Sequence, residues 1–381
     1  MIRSKLQEKP KNALAEIKRI AAENSDCIDL AAAVPGLDMP QQLKAAIARH
    51  LQNGTSQYAP VEGLSQLRNT IADYWKDVHG YQYDPDTEVS ITAGASEAVW
   101  AAITAIVHED DEVIILEPSH ENYVPAVRIN GGTPIFVTLR HPDYRVDWNE
   151  VIRMINQRTK MIIINSPHTP SGMVYSDDDY RNLQKIVVGN KITVLADETF
   201  SFLTYGKPFV SIAKFPALAR QSIVVASISK ALNATGWKTG VCCAPADISA
   251  EIRRMHNYIC NGSNSTFQHA ASELLKASPD ILEKIRDAYQ AKRDLVCSLL
   301  KESRYRLLAS EGTWFQLLDY SDISQEPDTD FCLRLARDYG VAAFPMSTYY
   351  HDKTKTNVIR LCFARPDEVL RKGIERLISV K

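Results

Sequence analysis

The sequence predicts an α/β protein in which a mostly parallel central sheet, covered by helices on both faces, fills a large domain of residues 46–289. Three observations carry this. Short apolar runs alternate with helix-like segments through the middle of the chain, the order produced by parallel strands joined through crossover helices. The runs are apolar throughout instead of alternating with polar residues, as strands buried on both faces read. At 381 residues, 45% of them hydrophobic, the chain can bury one large core and a second, smaller one. That second core is expected in a small α/β domain built from both chain ends, residues 1–45 and 290–381.

Taken in order, "EVIIL" (112–116), "TPIFVTL" (133–139), "KMIIIN" (160–165), "ITVLAD" (192–197) and "SIVVASIS" (222–229) read as buried strands. "SEAVWAAITAIV" and "DDDYRNLQKIVV" have helical periodicity and lie before or between them. Toward the C-terminus, "SPDILEKIRDAYQAKRDLVCSLLKES" reads as long helices, followed by shorter strands at "WFQLLDY", "VAAFP" and "VIRLCFA". In parallel sheets, ligands gather where strands end. Asn165, Asp197 and Lys230 all stand where an apolar run stops.

Composition removes several classes of function. A formal charge of −2 offers no basic field for nucleic acid. The N-terminal stretch lacks the apolar core of a secretory signal, and no apolar run approaches the ~20 residues that span a bilayer. Seven scattered cysteines without a CxxC pair predict neither a disulfide nor a zinc framework and fit a cytoplasmic protein. The nine histidines form no HExxH-like cluster, so no metal is expected.

The chemistry rests on pairs. A carboxylate at the mouth of a sheet, Asp197, can cap a turn or hold a ring nitrogen protonated. A lysine between small hydroxyl residues, Lys230, can be a solvated charge or an amine kept for Schiff-base formation. Together the two describe a site for pyridoxal 5'-phosphate. Gly94, Ala95 and Ser96 open a helix, where backbone N–H groups and the helix dipole favour a phosphate. Ser227 and Lys238 flank Lys230 and can add a hydroxyl and a cation.

The ordered set "QYAPVEGLSQLR", "TAGASEA", "NSPHTPSG", "LADETF", "SISKALNATGWKTG", "EGTWF" and "VIRLCFA" resembles the class I aminotransferases, fold type I of the pyridoxal-phosphate enzymes. The similarity runs from about residue 28 to the C-terminus and is greatest to the methionine and kynurenine–oxoglutarate aminotransferase group. The resemblance implies that Lys230 is the Schiff-base lysine and moves the Cα proton, and that Asp197 pairs with the pyridine nitrogen. It implies a phosphate held by Ala95, Ser96, Ser227 and Lys238, with Tyr58 reaching the phosphate of a neighbouring subunit in a homodimer. Arg360 would grip the substrate α-carboxylate, and Asn165 would open the cofactor loop beside the substrate.

Four positions depart from the family pattern. Thr169 stands in place of an asparagine and Phe200 in place of a tyrosine, both donors to the cofactor's phenolic oxygen. His120 replaces an aromatic residue that stacks on the ring, and Ala33 replaces a glycine near the substrate. Two outcomes stay open: tolerated variation in a transaminase acting on an α-amino acid, or a redirected reaction such as β/γ-elimination, replacement or cyclisation. A catalytically silent ligand-binding homologue is a third. The segment "CNGSNSTFQ" (260–268) is either a polar wall against the substrate side chain or a run of turn formers.

Overall fold

A computed structural model describes residues 13–352 and 354–380. The first twelve residues of the expected small domain lie outside the described residues. Seven strands form the central sheet in the order Val89–Thr92, Gly240–Cys243, Ser222–Ala226, Thr193–Asp197, Thr159–Asn165, Glu112–Glu117, Thr133–Thr138. Gly240–Cys243 runs antiparallel to both its neighbours; the other pairings are parallel. The sheet is therefore mostly parallel, with one reversed strand.

Successive residues of these strands enter two separate cores. Val113, Ile115, Met161, Ile163, Leu195, Ile223 and Val225 join one cluster with Ala95–Ile106 and Ala246–Cys260. Ile114, Leu116, Ile162, Ile164, Val194, Ala196 and Val224 join the other. Each such buried Val, Leu, Ile or Met side chain contributes about 1.5–3 kcal/mol, so an apolar run without alternation is what a sheet covered on both faces requires. Small residues at Ala98, Ala101 and Ala102 let the Ala95–Ile106 helix lie close to the sheet.

A second, four-stranded antiparallel sheet joins Phe344–Pro345, Val358–Cys362, Phe315–Asp319 and Arg306–Leu307. The strand Ile28–Asp29 pairs in parallel with Val341–Ala342, tying the N-terminal region to the C-terminal one. The long helical stretch is one 20-residue helix, Ile281–Leu300. Asp177–Val187 forms as expected and starts on a capping box between Ser176 and Asp179.

Two details differ from the sequence expectation. The run "SIVVASIS" stops being a strand at Ala226, because the Ser227 side chain caps a short helix, Ile228–Ala231. The strands Val89–Thr92 and Gly240–Cys243 had no counterpart among the apolar runs; they are short and carry Ser, Thr, Gly and Cys.

Candidate active site

Six strands of the central sheet point the same way, so their C-terminal ends and the N-terminal end of Gly240–Cys243 meet at one edge. Asn165 and Asp197 are direct partners in the ladder at that edge. Asn165 Nδ2 donates to the Asp197 carbonyl (2.7 Å), and its Oδ1 accepts from the Thr169 N–H (2.6 Å). Thr169 is thereby held beside Asp197. The Asp197 carboxylate accepts from the Tyr123 hydroxyl (2.6 Å) and the Thr199 N–H (3.1 Å). All of these groups are buried. Burial, with the neighbouring Asp197 charge, pushes the Tyr123 hydroxyl well above its ordinary pKa, so it stays a donor.

Past Ala226 the chain turns, and the Ser227 hydroxyl accepts from the Lys230 N–H (3.3 Å). This turn sends the Lys230 side chain over the Phe200 ring, with Nζ 4.9 Å from its centroid. Phe200 is itself fixed edge-on against Trp314 (4.7 Å). It thus offers the amine a ring face where a tyrosine would offer a hydroxyl. Burial lowers the Lys230 amine from 10.5 to about 8; Asp197 acts against that shift and Lys238 adds to it.

Gly94 has φ +90, and a Cβ there would come within 3.4 Å of Lys238 Nζ. A Cβ on Gly240 would stand 2.5 Å from the Ala95 nitrogen. Both glycines are needed for the backbone to make a close cradle under the Lys238 ammonium. Ala95 and Ser96 open the helix above it, where N–H groups have no intrahelical partner. Backbone and side-chain bonds between Ser229 and Thr239 hold the Lys230 and Lys238 turns together.

Arg360, on Val358–Cys362, is only 3% exposed. Its guanidinium lies between Phe315 (4.1 Å) and Phe344 (4.3 Å) and donates to the Ala31 carbonyl (2.6 Å) and the Tyr349 hydroxyl. Nε is buried without a partner. Among the described residues no carboxylate lies within ion-pair distance of it. A buried charge lacking a counter-ion is costly, so this arrangement suits an incoming anion. Ala33 is exposed, in a strap whose carbonyls at Asp29, Ala31 and Ala32 are held by Arg360 and Arg365. The Ser119 N–H donates to the Tyr349 carbonyl (2.9 Å), which joins the Arg360 region to the sheet edge.

His120 follows Ser119. Burial and the Lys230 charge pull its imidazole below the usual range, which favours the neutral ring. Its Nδ1 accepts from the Asn122 N–H (3.3 Å), leaving Nε2 to carry the hydrogen. Tyr58 and the turn residues Asn261 and Asn264 lie at the surface of the chain. Tyr58 is 85% exposed on a loop that packs against residues 261–266, where Ser265 donates to the Gln57 carbonyl. In that segment Asn264 caps the helix Ser265–Ala277, and Asn261 ends the preceding helix in the left-handed conformation. Their turn-forming role accounts for their presence.

Sequence reasoning overlooked Tyr123, Gly240, Tyr349, Phe315 and Phe344. Only Gly240 carried a local signal, as the glycine closing "KTG"; the others act through contacts distant in sequence. The set fits pyridoxal phosphate: a partly deprotonated amine, a carboxylate already aimed by two donors, and a glycine-lined cradle with one ammonium.

Comparison with known proteins agrees. Residues 25–377 match the family model "Aminotransferase class I and II". The chain is 39% identical to the methionine aminotransferase of Escherichia coli over 93% of its own length and 92% of that protein's. A solved structure of an Escherichia coli protein with a methionine aminotransferase function superposes with a TM-score of 0.95, at 38% identity, covering 99% of each chain. N-succinyldiaminopimelate aminotransferase from Mycobacterium tuberculosis superposes with a TM-score of 0.95, at 30% identity over the whole of both chains. The kynurenine–oxoglutarate transaminase of Dictyostelium discoideum is 28% identical, over 93% of this chain and 91% of that one. No helix among the described residues is long and apolar enough to cross a membrane.

Proposed function

We propose the following division of labour for this chain, which belongs to the class I and II aminotransferases and, with them, uses pyridoxal 5'-phosphate to transaminate an α-amino acid. The bound cofactor supplies the electron-withdrawing ring that makes the substrate Cα–H acidic. Lys230 takes up and returns the Cα proton; an amine brought to about 8 is unprotonated often enough near neutrality to do so. Asp197, aimed by Tyr123 and Thr199, would keep a proton on the ring nitrogen, and His120 would stack on the ring. Thr169 would serve the phenolic oxygen. Lys238, Ser227 and the N–H groups of Ala95 and Ser96 would hold the phosphate. Arg360 binds the substrate α-carboxylate, with Asn165 and the Ala33 strap bordering the same space.

The observation that carries this assignment is the buried Arg360 guanidinium, with no carboxylate among the described residues in ion-pair distance, acting on the same His120 ring as the Lys230 amine of reduced basicity. Each of the three cations then has its anion or carbonyl, and the rings around them, Phe200, Phe315, Phe344, Tyr349 and His120, are uncharged or favoured neutral. An uncharged side chain of the methionine type suits them, as the named substrate of the Escherichia coli relative supports. The working unit is a cytoplasmic homodimer in which Tyr58 completes the partner's phosphate site. Its exposed ring, with Tyr258 and Ile259 also exposed, supports this. Residues 46–289 serve as the cofactor domain and 1–45 with 290–381 as the small domain.

The test is a single turnover. Holoenzyme given methionine without an acceptor should release one equivalent of 2-oxo acid per chain and stop, with the cofactor aminated, until an oxo acid restores it. Lys230→Ala should release none. Turnover that continues without an acceptor, liberating ammonia, would mean elimination instead. Methionine should exceed aspartate in kcat/KM by about 100-fold or more; parity would refute the uncharged-substrate assignment.

A further inference from the structure

Behind the phosphate cradle, two packed helices bring three unlike metal-ligating side chains to one point. His256 and Cys260 lie four residues apart on one face of Ala246–Cys260. Glu97 lies in the first turn of Ala95–Ile106, which packs against that helix. Glu97 Oε1 is 3.0 Å from His256 Nδ1, and Cys260 Sγ is 3.4 Å from the same nitrogen. One ligand atom from each of the three lies within 4.8 Å of the others. His256 is buried, and Cys260 is partly exposed in the single chain.

We propose that Glu97, His256 and Cys260 form a divalent-metal site suited to zinc, separate from the cofactor residues and coupled to the phosphate cradle. Without an ion, the contacts read as a Glu97–His256 hydrogen bond beside a thiol that donates to the Gly262 carbonyl (3.5 Å). In that state Nδ1–H donates to Glu97 and the sulfur lies in contact beside it. The same three atoms, one each of oxygen, nitrogen and sulfur, converge on a point that a cation can take once the Nδ1 hydrogen is moved.

With Zn–N of ~2.0–2.1 Å and Zn–S of ~2.3 Å in a tetrahedron, neighbouring ligand atoms stand about 3.3–3.6 Å apart. The observed 3.0 and 3.4 Å differ from these by a few tenths of an ångström, and the third pair, Glu97 with Cys260, lies within 4.8 Å. Oxygen, nitrogen and sulfur together are a zinc set, whereas magnesium and calcium take oxygen. Binding forms the Zn–N and Zn–S bonds; the imidazole hydrogen passes from Nδ1 to Nε2, the thiol proton is released, and three protein ligands leave a fourth position to water.

The coupling runs through Glu97. Its other oxygen, Oε2, accepts from the Ala93 N–H (3.2 Å), immediately before Gly94 and the first helical N–H groups. A cation that fixes this carboxylate stiffens the turn beneath the phosphate and slows cofactor loss.

The experiment equilibrates holoenzyme with buffered zinc and counts metal per chain by mass spectrometry. One zinc per chain is expected, held at free concentrations below about 10 µM. Cys260→Ser, a near-isosteric change, and His256→Gln should each weaken binding by more than about 100-fold, since even outer-sphere changes cost 10–100-fold. Cys27→Ser, a partly exposed thiol elsewhere, should change nothing. Zinc should also slow pyridoxal-phosphate release on dilution several-fold in wild type and not in Cys260→Ser. Absence of bound zinc at about 10 µM, or binding indifferent to Cys260→Ser in a protein with unchanged circular dichroism, overturns the site. Binding at the site with unchanged cofactor release overturns the coupling.

Discussion

The Asp197 end and the Arg360 end of the site are built on opposite plans. Asp197 has its acceptors filled in advance: the Tyr123 hydroxyl at 2.6 Å on one oxygen and the Thr199 N–H at 3.1 Å on the other. Its own carbonyl is held by Asn165. Arg360 has two neutral acceptors, two aromatic faces and an unpartnered Nε. On the proposed assignment, a resident group would meet a surface already organised for it, while a substrate that comes and goes would meet charge still uncompensated. Preorganisation at the first end favours tight, long-lived holding; an open cation at the second favours selection of each arriving carboxylate.

That contrast can be broken at either end. The largest effect is expected for Arg360→Lys, which keeps the charge but loses the planar fork and its stacking on Phe315 and Phe344. Methionine KM should rise by about 10–100-fold, from the loss of about 1.5–3 kcal/mol of charge-assisted bonding. The cofactor's absorbance should stay unchanged. If KM holds and kcat falls, the carboxylate binds elsewhere.

Tyr123→Phe tests the other end and should do the reverse. Removing one donor costs about 1–3 kcal/mol at Asp197, so kcat should fall about 10-fold with KM little moved. The pH dependence of the bound cofactor's spectrum should shift, which loss of packing alone would not cause. An unaltered spectrum would place Tyr123 outside the site's electrostatics.

The smallest effect sharpens the picture beneath Asp197. Glu198 accepts from Ser211 Oγ (2.7 Å) and the Ile212 N–H (2.8 Å), yet burial, with the Asp197 charge adding to it, pushes its carboxyl up to about 8. The folded protein then keeps a proton that the unfolded chain loses above its ordinary 4.5. Stability from this group is full below 4.5 and is lost as pH rises toward 8. Glu198→Gln should flatten the Tm–pH profile across that window and raise Tm by a few degrees at pH 8. An unchanged profile would mean that Glu198 is ionised in the folded state.

Much of this was legible in the chain. Asn165, Asp197 and Lys230 announced themselves because each ends an apolar run, and strand ends are where such sheets place ligands. Gly94, Ser227 and Lys238 were readable from small or hydroxyl residues at turns. Val89–Thr92 and Gly240–Cys243 were not, since a four-residue strand of mixed polarity has no period to detect. Tyr123 and Tyr349 were hidden for another reason. Their partners lie distant in sequence or across a turn whose geometry no local pattern encodes. The asparagines of residues 260–268 carried a composition that fits a polar wall and a helix end equally; the structure shows them at a helix end and a helix start.

The reversed strand has a consequence for how far this enzyme can be altered. Because Gly240–Cys243 runs against its neighbours, the chain that leaves the edge at Ala226 returns to it at Lys238, with only seven residues between the two lysines (231–237). That stretch is a ruler: its covalent length sets the gap between the reacting amine and the anion anchor. Whole-loop grafts or indels there would change the spacing of the two lysines even if every side chain survived, whereas the same edits in the exposed turn at Gly189 would leave it untouched.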